Sequence, residues 1–258
     1  FPPMVEALHK LGGIPIKPIL AESMQMGDEN HTRQTACDYI YDRLMLPALF
    51  ELDRPKKEIM KTVRYIVDTP RFFHCYGQAA ARAALVAADG TEYSTMVTAV
   101  CGNGVEFGIK IASLPGQWFT APAPMMKGRY TSSEFTEKDQ LPWMGDSCVV
   151  ECYGMGGFAA ASPIVCNLRG MTLKESIGQT KEMYRITMEK NYNFPIPNLD
   201  FDFLPVGIDI RKVLKEGVCP AIHGGMFNRV GGLIGAGMAR VPMQCFEKAL
   251  VAFGEKYL

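Results

Sequence analysis

At Gly90 the spacing of apolar residues changes from a helical period of about 3.6 to a strand period of about 2, and this change limits what the chain can fold into. Beyond it, Met96 to Cys101 is one apolar run. Asn103-Gly104 follows, a dipeptide that tolerates the left-handed backbone of a tight turn, and Val105, Phe107, Ile109 and Ile111 then alternate with Glu106, Gly108 and Lys110. This pattern predicts a β-hairpin with one buried face. Before Gly90 the pattern is helical throughout. Tyr39-Ile40, Leu44, Leu46 and Leu49-Phe50 recur at helical spacing, Pro55 opens a second stretch with Ile59, Val63 and Ile66-Val67 on one face, and an Ala-rich helix runs from about His74 to Gly90. A chain that is helical and then strand-like falls into the α+β (mixed α/β) class. The expected architecture is a central mixed sheet with a β-hairpin and flanking helices, plus a small helical subdomain.

The later segments extend this reading. Trp118 to Pro124 reads as an extended loop, and Asp146 to Tyr153 as a strand carrying Glu151. Gly154-Met155-Gly156-Gly157 then leads into an Ala-rich helix reaching about Cys166. Thr172 and Glu175 stand in capping-box spacing before a helix to about Lys190, Asp209 caps a short helix ended by Gly217, and Pro242 sits at the first turn of a C-terminal helix. Three units are expected: residues 1–30 as the end of a truncated N-terminal segment, 31–90 as the helical subdomain and 91–258 as the body. The first residue is Phe1, and a helix closing at Gly12-Gly13 reads as the tail of something longer.

Composition removes several functions. With 27 Lys+Arg against 27 Asp+Glu and no block of like charge, the chain lacks the field that nucleic-acid or anionic-membrane binding requires. No apolar run approaches the ~18 residues of a membrane span. The eight cysteines form no CxxC pair and most lie in apolar stretches, so free thiols in a cytoplasmic protein are expected, with no structural metal.

Candidate chemistry lies in three places. Glu151 to Phe158 is a strand, a glycine-rich turn and a helix start, where the N–H groups of Gly154, Gly156 and Gly157 can meet a small anion; a packing turn is the alternative. Gly224-Gly225, Gly231-Gly232 and Gly235-Ala236-Gly237 surround His223, Arg229 and Arg240, a cradle for an anionic group or a mobile loop. Gly27-Asp28-Glu29-Asn30-His31 groups two carboxylates and an imidazole at a helix start, where dipole complementarity explains the acids and metal binding by Asp28 and His31 is the alternative. Glu106 and Glu151 interrupt apolar strands, which marks them as acid–base candidates or, for Glu106, a solvent-facing position. No GxSxG, HExxH or clear Ser/His/Asp order is present.

Asn103-Gly104-Val105-Glu106-Phe107-Gly108-Ile109, Trp118 to Pro124, Gly145-Asp146-Ser147 with Glu151 and Gly154 to Ala159, Gly207 to Val213, and Gly235-Ala236-Gly237 leading to Pro242 and Phe246 to Leu250 together resemble the YlbE/YahG/AllG family. The resemblance covers nearly the whole chain from about Gly27, and family members carry a further N-terminal portion. It implies a subunit of an oxamate carbamoyltransferase in allantoin and purine catabolism, working with an FdrA-type, acyl-CoA-synthetase-like subunit and an AllH-type subunit. The implied reaction interconverts oxalurate plus phosphate with oxamate plus carbamoyl phosphate, without a cofactor. Residue chemistry then suggests a phosphate at the Gly154 to Phe158 turn with Asn103 nearby, a carboxylate clamp at Arg211 or Arg240, and Glu106, Glu151 or His223 for proton transfer. A non-catalytic, small-anion-binding or scaffold subunit is the competing class.

Overall fold

The computed structural model describes residues 1–162 and 170–258. The helical first part contains α1 (Pro2–Lys10), α2 (Ile16–Gln25), α3 (Thr35–Phe50), α4 (Lys56–Val67) and α5 (His74–Val86). Their apolar faces meet around Leu20, Met24, Tyr41, Met45 and Leu49, all buried. The helix α5 packs its small-residue face onto the sheet body, where Arg82 donates to the Thr98 carbonyl at 2.8 Å.

The hairpin forms where the period change places it, from β1 (Val97–Asn103) and β2 (Glu106–Ile111) paired antiparallel. Its turn is tighter in chemistry than the dipeptide suggests: only Gly104 takes positive φ (+86°), while Asn103 Oδ1 accepts from the N–H groups of Val105 and Glu106 at 2.9 and 2.7 Å. The expected loop at Trp118 to Pro124 is partly an edge strand, β3 (Phe119–Pro122), on β2. β4 (Lys127–Tyr130) joins a second sheet, and β5 (Met144–Gly145) pairs with the end of β1.

The protein is α+β, as expected, but the described ladders are antiparallel and divided among three sheets rather than gathered in one mixed sheet. Short connections explain the β1–β2, β2–β3, β6–β7 and β8–β9 pairings, since parallel neighbours need long crossovers. The first sheet has the order β3-β2-β1-β5 and the second β4-β9-β8, where β8 is Ala221–Phe227 and β9 is Leu233–Arg240. The third pairs β6 (Thr187–Ile196) with β7 (Asp202–Ile208).

Three expected elements are different. Asp146 to Tyr153 is not a strand: after β5 the chain turns into the short helix α6 (Val149–Cys152), with all four residues buried. An apolar run buried on every side carries no period that separates helix from strand. The helix capped by Thr172 and Glu175, α7 (Leu173–Met183), has the full capping box but stops short of Lys190, because Thr187 onward pairs with β7. The expected helix after Gly157 is a 3₁₀ turn over Gly156–Ala159, and its remainder from residue 163 to Cys166 lies outside the described residues. Asp209 caps α8 (Ile210–Glu216), Gly217 ends it at φ +64°, and α9 (Met243–Tyr257) follows Pro242 to cover β2 and β3. Seven described cysteines are free. No helix among the described residues is long and apolar enough to cross a membrane.

Candidate functional site

The turn between α2 and α3 builds one half of a buried polar centre. Gly27 (φ +100°) and Asn30 (φ +62°) take left-handed backbone there, and Asn30 is pinned by Ser23 and by the Cys37 thiol, which donates to Asn30 Oδ1 at 2.8 Å. This geometry wraps the chain around Glu29, whose Oε1 accepts from the N–H groups of His31, Thr32 and Arg33 and from the Thr32 hydroxyl. Asp28, beside it, accepts from Cys37 N–H at 2.8 Å and faces Arg33 at 3.5 Å; burial pushes its carboxyl up to about 6.

The other half comes from α6, the glycine turn and β8. Glu151 Oε1 accepts from Gly157 N–H at 3.0 Å and from His223 N–H at 2.8 Å, and His31 Nδ1 lies 2.8 Å away. Gly156 N–H donates to the Glu29 carbonyl at 2.6 Å. The N–H groups of the glycine turn are therefore taken by the protein itself, those of Gly154 and Gly156 by the Glu151 and Glu29 carbonyls and that of Gly157 by the Glu151 side chain. This corrects the expectation of a phosphate cradle at Gly154 to Phe158. The glycines are needed for close approach: a Cβ on Gly156 would fall onto the Glu151 carboxylate, and one on Gly157 onto the Ala221 carbonyl. Gly154 (φ +90°) packs against the Pro205 carbonyl.

Two histidine–glutamate pairs result. His223 Nδ1 meets Glu29 Oε2 at 2.8 Å, and His31 Nδ1 meets Glu151 at the same distance. With both glutamates ionised, each Nδ1 donates and each Nε2 is left to accept. The two Nε2 atoms end differently. That of His223 meets Gln179 Nε2 of α7 at 2.8 Å in the core, and that amide also donates to the Gly157 carbonyl. That of His31 meets the Ser147 hydroxyl at 2.8 Å, and Ser147 is only half-buried. Burial raises the Glu151 carboxyl, and His31 together with the two backbone donors opposes that rise.

Beyond Ser147 lies a cavity of about 280 Å³ lined by His31, Thr32, Arg71, His74, Trp143 and the backbone around Gly224. His74 stacks on His31 with ring centroids 6.0 Å apart, and burial, reinforced by His31, lowers its pKa to about 4. Arg71, exposed at the rim, takes left-handed backbone (φ +64°) and is anchored through its N–H to Asp38 at 2.7 Å.

The structure brings together Glu151, His223, Gly156 and Gly157, and adds Glu29 and His31 from the acidic turn. It leaves the other expected residues elsewhere. Glu106 is exposed and accepts from the Thr120 hydroxyl at 3.1 Å, so it occupies the solvent-facing alternative. Asn103 caps the hairpin turn. Arg211 pairs with Asp209 two residues before it, at 3.1 Å. Arg240 pairs with Glu182 at 2.6 Å and donates to the Cys219 carbonyl. Gly224, Gly225, Gly235 and Gly237 are strand positions under close packing, and only Gly231 and Gly232 sit in the turn. Ser147, His74, Arg71 and Gln179 were not expected. No group of three or more metal-ligating side chains occurs among the described residues.

Fold and site define an α+β protein with a fully buried pair of carboxylate–imidazole contacts, one of which reaches a small polar cavity. The sequence profile described as "Oxamate carbamoyltransferase subunit AllG" matches residues 1–147, more than half of the chain, and the chain belongs to that family. It is 36% identical to the uncharacterized protein YahG of Escherichia coli (strain K12) over 259 residues, 99% of this chain and 55% of YahG. It is 35% identical to the oxamate carbamoyltransferase subunit AllG of the same organism, over 94% of this chain and 59% of AllG. A crystal structure of a conserved protein of unknown function from Enterococcus faecalis V583 superposes with a TM-score of 0.94 at 35% identity, covering 98% of this chain and 62% of that one. The chain thus spans a little over half the length of the relatives it matches.

Proposed function

We propose that this AllG-like chain handles the carbamoyl group in a cytoplasmic complex that interconverts oxalurate plus phosphate with oxamate plus carbamoyl phosphate, in allantoin and purine catabolism. FdrA-type and AllH-type chains are its proposed partners. The observation that carries this reading is the His31–Glu151 pair, whose far nitrogen points through Ser147 into a cavity with Arg71 at its mouth.

Transfer of a carbamoyl group needs a proton taken from the attacking atom and returned to the leaving nitrogen, together with positive charge for two anions. His31 is the proton carrier in this account. Glu151 holds its tautomer and balances the imidazolium when it forms, as a buried carboxylate does in other imidazole-based sites. Arg71 replaces Arg211 and Arg240 as the clamp for the oxamate carboxylate, since the latter two are engaged by Asp209 and Glu182. His74, held neutral beside His31, keeps like charge away from the imidazolium. Glu29 and His223 brace the turn that presents His31.

The test is carbamoyl phosphate formation by the full-length protein with its partner subunits. His31→Asn is expected to lower kcat by about a hundredfold or more, the usual contribution of a positioned acid–base. Arg71→Ala is expected to act chiefly on KM for oxalurate, which carries the carboxylate that oxamate retains. Wild-type rates in His31→Asn would assign catalysis to another chain and leave this one a binding or scaffold subunit.

A further inference from the structure

Of the two imidazole–carboxylate pairs, one is closed and one is open. His223 lies between Glu29 and Gln179, fully buried, with no route to solvent through its Nε2 contact. His31 is the same unit turned outward: Glu151 on Nδ1, and on Nε2 a hydroxyl at the cavity surface. A serine, a histidine and a buried carboxylate in series, each link at 2.8 Å, have the connectivity by which a hydroxyl is made nucleophilic. Such an arrangement is recognised by geometry and roles and not by chain order, which here is His31, Ser147, Glu151. Ser147, in the turn that leads into α6, and Glu151, within α6, are bridged by the one imidazole of His31.

From this we infer that Ser147 is a covalent nucleophile and that carbamoyl transfer runs through a carbamoyl ester on its Oγ. The inference rests on the carbamoyl-transfer reading for its substrate and on the serine–histidine–glutamate series for its nucleophile. In the direction of oxalurate breakdown, Ser147 Oγ attacks the terminal carbamoyl carbon while His31 Nε2 takes the hydroxyl proton. The bond from that carbon to the oxamate nitrogen breaks, His31 delivers the proton to that nitrogen, and oxamate leaves. A phosphate oxygen then attacks the same carbon and passes its proton to His31. The bond to Oγ breaks, the proton returns to Oγ, and carbamoyl phosphate departs with the serine restored. Nothing is oxidised or reduced, and phosphate is the only co-reactant. Arg71 at the rim attracts both the departing oxamate and the entering phosphate. The two half-reactions need no simultaneous binding of oxalurate and phosphate, which suits a cavity of this size.

Two measurements on the full-length protein with its partner subunits separate the nucleophile from the substrate. First, a fluorophosphonate, which reacts with activated serines whatever their natural substrate, is expected to label Ser147, identified by peptide mass spectrometry. The rate should fall at least a hundredfold in His31→Asn. Second, oxalurate without phosphate is expected to release about one equivalent of oxamate and leave the mass of one carbamoyl group on the Ser147 peptide; Ser147→Ala should show neither. Ser147→Ala removes one half-buried hydroxyl, and circular dichroism checks that it folds. Label on Ser147 without oxamate release would keep the nucleophile and overturn oxalurate as its substrate. Absence of label on Ser147 in the wild-type protein, or carbamoyl transfer by Ser147→Ala within tenfold of wild type, would overturn the covalent route while leaving the carbamoyl-transfer reading in place.

Discussion

Glu151 shows how a residue's burial can be read correctly and its local setting wrongly. Its position in an apolar run points to desolvation, and it is fully buried. Its helical neighbourhood was hidden, because Cys148-Val149-Val150 suits a buried strand as well as a buried helix. In a strand Ser147 and Glu151 would stand about 13 Å apart; with Ser147 in the turn that leads into α6 they come within reach of the same imidazole. Ser147 was therefore missed as a consequence of the strand reading. The glycine turn was legible as a set of backbone donors, but that they meet Glu151 and Glu29 of the same chain depends on contacts that a search for bound phosphate does not consider. Gly156→Val is expected to destabilise the protein by roughly 3–5 kcal/mol in urea unfolding, because the branched Cβ meets the Glu151 carboxylate at a backbone with φ +56°. A loss below about 1 kcal/mol would mean that the turn does not enclose that carboxylate. Asp28 gives a pH test. An acid whose folded pKa is raised from 3.8 to about 6 holds its proton more tightly when folded, so its contribution is fully present below the unfolded pKa and is lost as pH rises through about 6. In Asp28→Asn that dependence disappears, and the variant should gain roughly 3 kcal/mol relative to the parent between about pH 3 and about pH 7. A constant difference across that range would contradict a buried, desolvated Asp28.

At the scale of elements, strong local chemistry made the sequence readable. The hairpin of β1 and β2, the Thr172–Glu175 capping box and the Asp209 cap with Gly217 all occur where their residues place them. Errors fell where tertiary pairing overrode local preference: α7 gives way to β6 because β7 lies alongside, and Gly224, Gly225, Gly235 and Gly237 of the second glycine cluster are strand because three strands press together there. Glycine in that sheet buys proximity, since Gly128 and Gly237 stand back to back with no room for a Cβ. Gly224 does the same for the site wall, where an added Cβ would lie 2.7 Å from the Trp143 ring. Gly224→Ala should therefore cost roughly 1–3 kcal/mol and shift the emission of Trp143, whose indole N–H donates to the Gly145 carbonyl at 3.1 Å. Unchanged stability and emission would show that the indole does not pack on β8.

Across the whole molecule, the site forms where the helical first part meets the sheet body. The α2–α3 turn brings Glu29 and His31, α5 brings His74, α6 brings Glu151, and β8 brings His223. Three of the four histidines converge there from positions 31, 74 and 223, a juxtaposition with no local sequence signal. The four titratable groups of the two pairs are near in space only because the fold closes, so one chain's periodicity could name Glu151 and His223 without joining them to His31. The central claim is that the substrates meet this chain at the His31–Ser147 cavity. The most direct measurement is a crystal structure of the protein soaked with oxamate and phosphate. The account predicts density in that cavity, with an anionic group against Arg71 and an atom within hydrogen-bond distance of Ser147 Oγ. Ligand bound instead at Arg240, at Arg211, or in the separate cleft between Arg82 and Lys110, with the His31 cavity empty, would contradict it.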